Sequence, residues 1–264
     1  MALQFAKNEY AIPRGRVFFN PKNIATDQYT GEIYLGNCPG FAIAIDTTKA
    51  EHFSSETGLR QKDESILVEV KRTGSITCDN MNAKNVAMYL SGTFGPINQA
   101  AGNVTGEALT VIPGRFYQLG ASATAPVGVR KVSDVEVKSE DGVTTYAAGS
   151  DYMLEADRGI LQILEGGTIT AGKIAVDYQH AAATWMGVRT GSEGEIKGSL
   201  RVASDNATGE NRDFFMPEVS LVPSGNLPVI AEGTDFTQMQ FDADVLKPAN
   251  GEAIYVDGVP QLVP

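Results

Sequence analysis

An all-β architecture with one short flanking helix is the fold class the sequence predicts, and three observations lead to it. Residues alternate with strand period in GFAIAID, 40–46, and in SILVEVKR, 65–72, where Leu67, Glu69 and Lys71 oppose Ile66, Val68 and Val70. Glycine is plentiful, at 28 of 264 residues, as a chain with many tight turns requires. Long helical patterns are scarce, and the clearest amphipathic stripe is Ala83, Val86, Ala87 and Leu90.

Residues 1–13 mix polar and apolar groups without period, which predicts an arm that orders against something else. RGRVFFN, 14–20, puts Val17 and Phe19 on one face of a strand. A turn-rich PKNIATDQYTG then leads to the short strand EIYLG, and NCPG turns the chain into 40–46. Residues 47–64 form a polar connection far longer than a hairpin turn needs, and it reads as a loop-like arm. In this arm Phe53 and Leu59 are apolar anchors among Glu56, Arg60, Lys62 and Asp63, a composition suited to a mixed-charge contact.

After 65–72 the chain stays extended to Asp79. Asp79 or Asn80 is placed to cap the helix and Gly92 to end it. So short a helix is unstable alone, so Val86 and Leu90 are expected to pack it on a sheet. Residues 93–103 read as loop and GEALTVIPGRFYQLG, 106–120, as a strand pair. The small-residue stretch ASATAPVG marks a boundary. Beyond it Val132, Val135, Val137, recurring turns and the closing strand IAVDY describe a small β-sandwich-like insert over 122–183, with Tyr146, Tyr152 and Tyr178 as core and strand residues. The outer domain is then discontinuous, 1–121 and 184–264. Its second part holds TWMGVRT, a strand at 195–204, the polar loop DNATGENRD, a strand at 213–222, a final strand DFTQMQFDADVL and a mostly apolar tail.

The formal net charge is −11, from 21 basic and 32 acidic side chains, which argues against a basic-patch nucleic-acid binder. No apolar run reaches the ~18 residues of a membrane span, and MALQFAKNEYAIPRGR lacks the apolar centre of a signal peptide, so a cytosolic site of synthesis is expected. Cys38 and Cys78 fall outside redox and metal-ligand spacings, and in a reducing compartment they read as two thiols buried like small hydrophobes. His52 reads as a solvated residue and His180 as a strand end. Neither has a second ligand at metal spacing, and no nucleophile elbow or phosphate-binding glycine fingerprint is present. Asp242 and Asp244 share a strand face without further oxygen ligands, and DNATGENRD has Ala207 where a calcium loop requires an oxygen. Neither an enzyme, nor a cofactor, nor a metal is expected.

RGRVFFN, LGNCPGFAIAID, HFSSETGLRQKDES followed by ILVEVKRTGSITCDN and the short helix, and late in the chain FFMPEVSLVPSGNLPVI, in this order, resemble the major tail tube protein of long-tailed, non-contractile bacteriophages. The resemblance implies a tail-tube-type β-sandwich with a flanking helix, six subunits to a ring, and rings stacked into a hollow tube through which genomic DNA leaves. It implies that 40–46, 65–72, 195–204 and 213–222 form the inner sheet. It also implies that 47–64 reaches the adjoining ring or subunit through Phe53, Glu56, Leu59, Arg60, Lys62 and Asp63, and that the terminal segments make further contacts. The implied partners are the chain itself, tail-tip and tail-terminator proteins at the tube ends, and tape measure protein and DNA held without specific binding in the lumen. The insert would sit on the exterior, as decoration or as a contact to the host surface. No membrane partner is implied, and the implied location is the virion tail, assembled in the host cytoplasm. The acidic balance agrees, because a lumen of negative potential lets duplex slide. Two other readings remain: the tube of a contractile tail or secretion apparatus, and a monomeric β-sandwich binding module.

Overall fold

The computed structural model describes residues 9–23, 25–191 and 196–259. Along the chain run β1 (Gly15–Asn23), β2 (Gln28–Tyr29), β3 (Ile33–Tyr34), β4 (Gly40–Ser54), β5 (Gln61–Cys78), α1 (Ala83–Tyr89), β6 (Gly92–Gln99), β7 (Gly102–Val111) and β8 (Phe116–Gln118). There follow β9 (Val132–Ser139), β10 (Thr145–Tyr146), β11 (Tyr152–Glu155), β12 (Ile160–Ile163), β13 (Gly172–His180), β14 (Ala183–Thr190), β15 (Ile196–Ser204), β16 (Asn211–Ser224), β17 (Met239–Leu246) and β18 (Tyr255–Val259). The fold is all-β with one helix among the described residues. It divides into two compact units, Met1–Phe94 with Val188–Pro264, and Gly95–Gly187.

The first unit is built on one antiparallel sheet in the order β2-β1-β15-β16-β17-β5-β4, with β3 added to β1 and β18 to β16. Period-two alternation gives the sheet a core face. In β17 Met239, Phe241, Ala243 and Val245 point inward, while Gln240, Asp242, Asp244 and Leu246 point outward. Val17, Phe19, Ile76, Leu200, Met216, Val219 and Leu221 complete the core. Each such fully buried large side chain contributes about 1.5–3 kcal/mol. Helix α1 lies against β16 and β17, with Tyr89 edge-on to Phe241 at 5.8 Å and its hydroxyl donating to the Gly225 carbonyl at 3.0 Å.

The cap of α1 is Asn82, whose side chain accepts from the Asn85 amide at 2.9 Å, and not Asp79 or Asn80. Those two have other partners: Asp79 accepts from Asn37, and the Asn80 carbonyl accepts from the Asn85 side chain. Val86 packs against the core as expected, but Leu90 does not; it is the C-cap residue and 40% exposed, and Met88 and Tyr89 pack in its stead. The helix ends at Tyr89, with Ser91 in the left-handed region at φ 48°. Gly92 already begins β6, where a Cβ would meet the Arg189 carbonyl oxygen at 2.2 Å.

The second unit is a two-sheet sandwich. β10-β9-β13-β7 forms one sheet and β11-β12-β8 the other. Val137, Ile174 and Val176 of the first meet Leu161, Ile163 and Tyr152 of the second in one core, and the Tyr152 hydroxyl donates to the Val135 carbonyl at 3.1 Å. Tyr152 and Tyr178 are buried and Tyr146 packs against the same core, as expected. The insert is nevertheless wider than 122–183. β7 pairs with β13 and β8 with β12, so 106–120 is not a strand pair of the outer domain but two strands of the insert, one in each sheet. The loop expected at 93–103 is largely strand β6, which pairs with β14. The small-residue stretch after Gly120 is an internal turn of the insert, where the Val129 amide donates to the Leu119 carbonyl at 2.9 Å.

Candidate functional site

The connection expected as an unstructured arm is a β-ribbon. β5 pairs with β17 only from Thr73 to Cys78, whereas β4 and β5 pair with each other from Gly40 and Thr77 out to Ser54 and Gln61. Among the described residues, the backbone from Ile45 and Arg72 outward pairs only within the ribbon, over roughly 30 Å at about 3.3 Å per residue. Register shifts between Thr48 and Lys49 and between His52 and Phe53 leave an extra residue on β5 each time, which sharpens the local twist. Thr47, Thr48, Ile66, Leu67, Val68 and Val70 supply the β-branched and apolar side chains that favour strands.

This ribbon exposes apolar surface that a chain normally hides. Ile45, Leu59, Ile66, Leu67 and Val68 are each more than half exposed, and Phe53 and Val70 more than a third. Single exposed hydrophobes are ordinary, but a contiguous set on one element marks a contact surface. β4 is also the terminal strand of its sheet, so its outer backbone groups form an open edge. A two-stranded ribbon is marginal in water, and this one is stiffened mainly at its root.

The predicted contact residues gather at the far end. The Arg60 guanidinium lies over the Phe53 ring at 5.4 Å. Lys62 pairs with Glu51, and Asp63 Oδ1 meets His52 Nδ1 at 2.6 Å. Glu56 and Leu59 occupy the tip between the strands, where the Thr57 hydroxyl donates to the Leu59 carbonyl at 3.0 Å. His52 is thus exposed as expected, but it stands on a strand and has a carboxylate partner. These pairs are solvent-exposed, and each contributes about 0–1 kcal/mol to the fold. The larger part of the apolar surface, Ile45 and Ile66 to Val70, lies closer to the root and was not among the predicted contacts. Its signal was present in ILVEV, which reads as a buried strand and is not one here.

The outward face of the first sheet is different in character. Registers align Ala42, Ser75, Asp242 and Val222 in one row, and Ala44, Thr73, Asp244 and Ser220 in the next. Ala42, Ala44, Thr73, Ser75, Asp242 and Asp244 line a groove, with Lys71 Nζ 3.9 Å from Asp244 Oδ1. Asp242 and Asp244 do share the face, and among the described residues no three His, Cys, Asp or Glu side chains gather as a metal centre would require. A second apolar surface lies between β16 and β17, where Val229, Ile230 and Phe236 are 90%, 95% and 88% exposed. The final strand, expected from Asp235, begins at Met239, so Phe236 lies before β17. No described helix is long and apolar enough to cross a membrane.

These features define an antiparallel all-β protein whose larger unit projects an uncovered ribbon and whose smaller unit is an inserted sandwich. The chain belongs to the family described as Protein of unknown function UCP028589, whose profile matches residues 10–252 and so spans both units. No curated protein matches the chain.

Proposed function

We propose that the chain is a structural, self-assembling tube subunit of the long-tailed phage type, whose copies close into hexameric rings that stack around a channel for DNA. The observation that carries this reading is the β4–β5 ribbon, with its open outer edge and its apolar side chains uncovered within one chain. A second copy is the economical cover. Closing subunits into a ring pairs every edge along the circumference, and head-to-tail stacking is heterologous and repeats without closing. The ribbon tip, with Arg60, Lys62, Asp63 and Glu56 around Phe53 and Leu59, is the contact to the adjoining ring or subunit.

The face carrying Ala42, Thr73, Ser75, Asp242 and Asp244 suits a channel wall. The side chains of these rows are short, and their carboxylates repel phosphate. Tape measure protein and DNA would occupy the channel without a specific site, and the tube ends would be closed by tip and terminator proteins. Location in a virion tail follows from the same reading.

The test is electron microscopy of the purified protein over a concentration series, with sedimentation velocity alongside. Hollow tubes or six-fold rings are the expected result. A monomer at every concentration that also fails to extend a tail-tip nucleus sinks the tube reading in favour of a monomeric binding module.

A further inference from the structure

Cys38 and Cys78 are distant in sequence, yet the fold sets them face to face at the root of the ribbon. Gly40 pairs with Thr77 where β4 enters the sheet. On the other side of the thiols the Asp79 amide donates to the Asn37 carbonyl at 3.2 Å, and the Asn37 side chain donates to the Asp79 carboxylate at 2.5 Å. Between these two pins Cys38 and Pro39 stand opposite the single residue Cys78. Neighbours across antiparallel strands have Cα atoms about 4.5–5.5 Å apart, within the ~4.4–6.8 Å that a disulfide spans.

Both sulfurs belong to the same core, Cys78 fully buried within it and Cys38 half-buried against it. The Cys78 thiol contacts the Leu35 carbonyl at 3.2 Å and the Asn85 side-chain amide at 3.5 Å. The neighbouring Cys38 pulls the Cys78 thiol below its ordinary value, while Cys78 and burial push the Cys38 thiol up.

We propose that Cys38 and Cys78 are a site of reversible oxidation, forming an intramolecular disulfide with a hydroperoxide as the oxidant. Cys38, the more accessible sulfur, passes its proton to Cys78 as it attacks one peroxide oxygen; the O–O bond breaks, giving a sulfenic acid on Cys38 and releasing a hydroxide that takes the proton back from Cys78. The Cys78 thiolate attacks the Cys38 sulfur, the S–S bond forms and a second hydroxide leaves. With the two thiol protons these become two waters, so two thiols lose two electrons and the peroxide gains them. The bond closes a loop containing the whole of the ribbon, which restricts the unfolded chain and anchors the root of β4 to the end of β5. The inference stands independently of assembly.

The experiment uses the full chain, reduced, then treated with hydrogen peroxide, quenched with an alkylating reagent, and analysed by intact mass and tryptic mapping. The expected result is a loss of about 2 Da with no alkylation, a cross-link between peptides 23–49 and 73–84, reversal by dithiothreitol, and a melting temperature raised on the order of 5 °C. Cys38→Ser should abolish the cross-link and the thermal shift, and Cys78→Ala provides a second variant. Two alkylatable thiols after treatment, a sulfinic acid on Cys38 beside a free Cys78, or cross-links only between chains would each overturn the proposal.

Discussion

Asp151 shows how much a single side chain organises in the insert. Buried at the start of β11, it accepts from the Ala147 amide at 2.8 Å and from the Thr168 amide at 2.6 Å and hydroxyl at 2.9 Å, joining two turns to one strand. The Thr168 and Ala147 amides and the Thr168 hydroxyl hold its carboxyl below the ordinary aspartate value, and Lys138, with the Gly106 amide, does the same for Asp177. A depressed folded value means that the unfolded chain binds protons first as pH falls. The stabilisation is therefore complete above about pH 4–5 and is lost on further acidification through the folded values. Thermal melts of residues 95–187 from pH 7 to pH 2.5 should be flat and then fall, and Asp151→Ala should lower the neutral-pH melting temperature by roughly 5 °C or more while reducing the acid slope. In the other unit, Asn82→Ala removes the helix cap and should cost about 1 kcal/mol, read by chemical denaturation. Choosing Asn82 over Asp79 or Asn80 needed the fold, because all three are capping residue types and only the fold brings Asn37 to the Asp79 carboxylate and the Asn85 side chain to the Asn80 carbonyl.

The ribbon is the element in which local pattern and outcome differ most. Residues 47–64 read as a polar connection because neither face of the ribbon is covered, so the usual alternation of apolar and polar positions is absent. Pairing along its length, not burial, makes it a strand pair. Substituting Leu67→Asp or Val68→Asp removes exposed apolar surface, so the monomer's stability should change by less than about 0.5 kcal/mol. Assembly should need a tenfold or higher concentration, equivalent to about 1.4 kcal/mol or more, as sedimentation would record. Charge reversal at Arg60 or Lys62 should weaken the proposed ring stacking more than folding. Loss of soluble monomer in these variants would assign the ribbon to the core of its own unit. Leu90, which the helical stripe placed on the sheet, is 40% exposed because α1 stops at Tyr89 and leaves Leu90 as its C-cap, a shift within the usual uncertainty of helix ends.

At the scale of the whole molecule the position of the boundary has a direct consequence. Excising 122–183 removes β9 to β13 and leaves β7 and β8 without the strands they pair with. That variant should aggregate or be degraded, as chains with uncovered edges are. Excising 95–187, with a short linker joining Phe94 to Val188, removes a compact unit entire, so the remaining unit should stay folded and keep its assembly behaviour. Cooperative melting of the second variant with failure of the first is the expected pair of results, measured by circular dichroism and size-exclusion chromatography.

Local alternation, glycine-rich turns and the scarcity of helical stripes were enough for the all-β class, for strands at 40–46, 65–72, 213–222 and most of 195–204, for the short helix and for an insert closing with IAVDY. These depend on neighbours a few residues apart, which a sequence displays directly. Glu195 and the terminal segments 1–8 and 260–264 lie outside the described residues. Partner choice across long separations was not visible in the same way. That β7 joins β13, that the polar connection pairs as a ribbon, and that Cys38 meets Cys78 all depend on which distant strand completes a ladder. Any strand of suitable period offers the same hydrogen-bonding groups, so only packing of the complete cores selects among them.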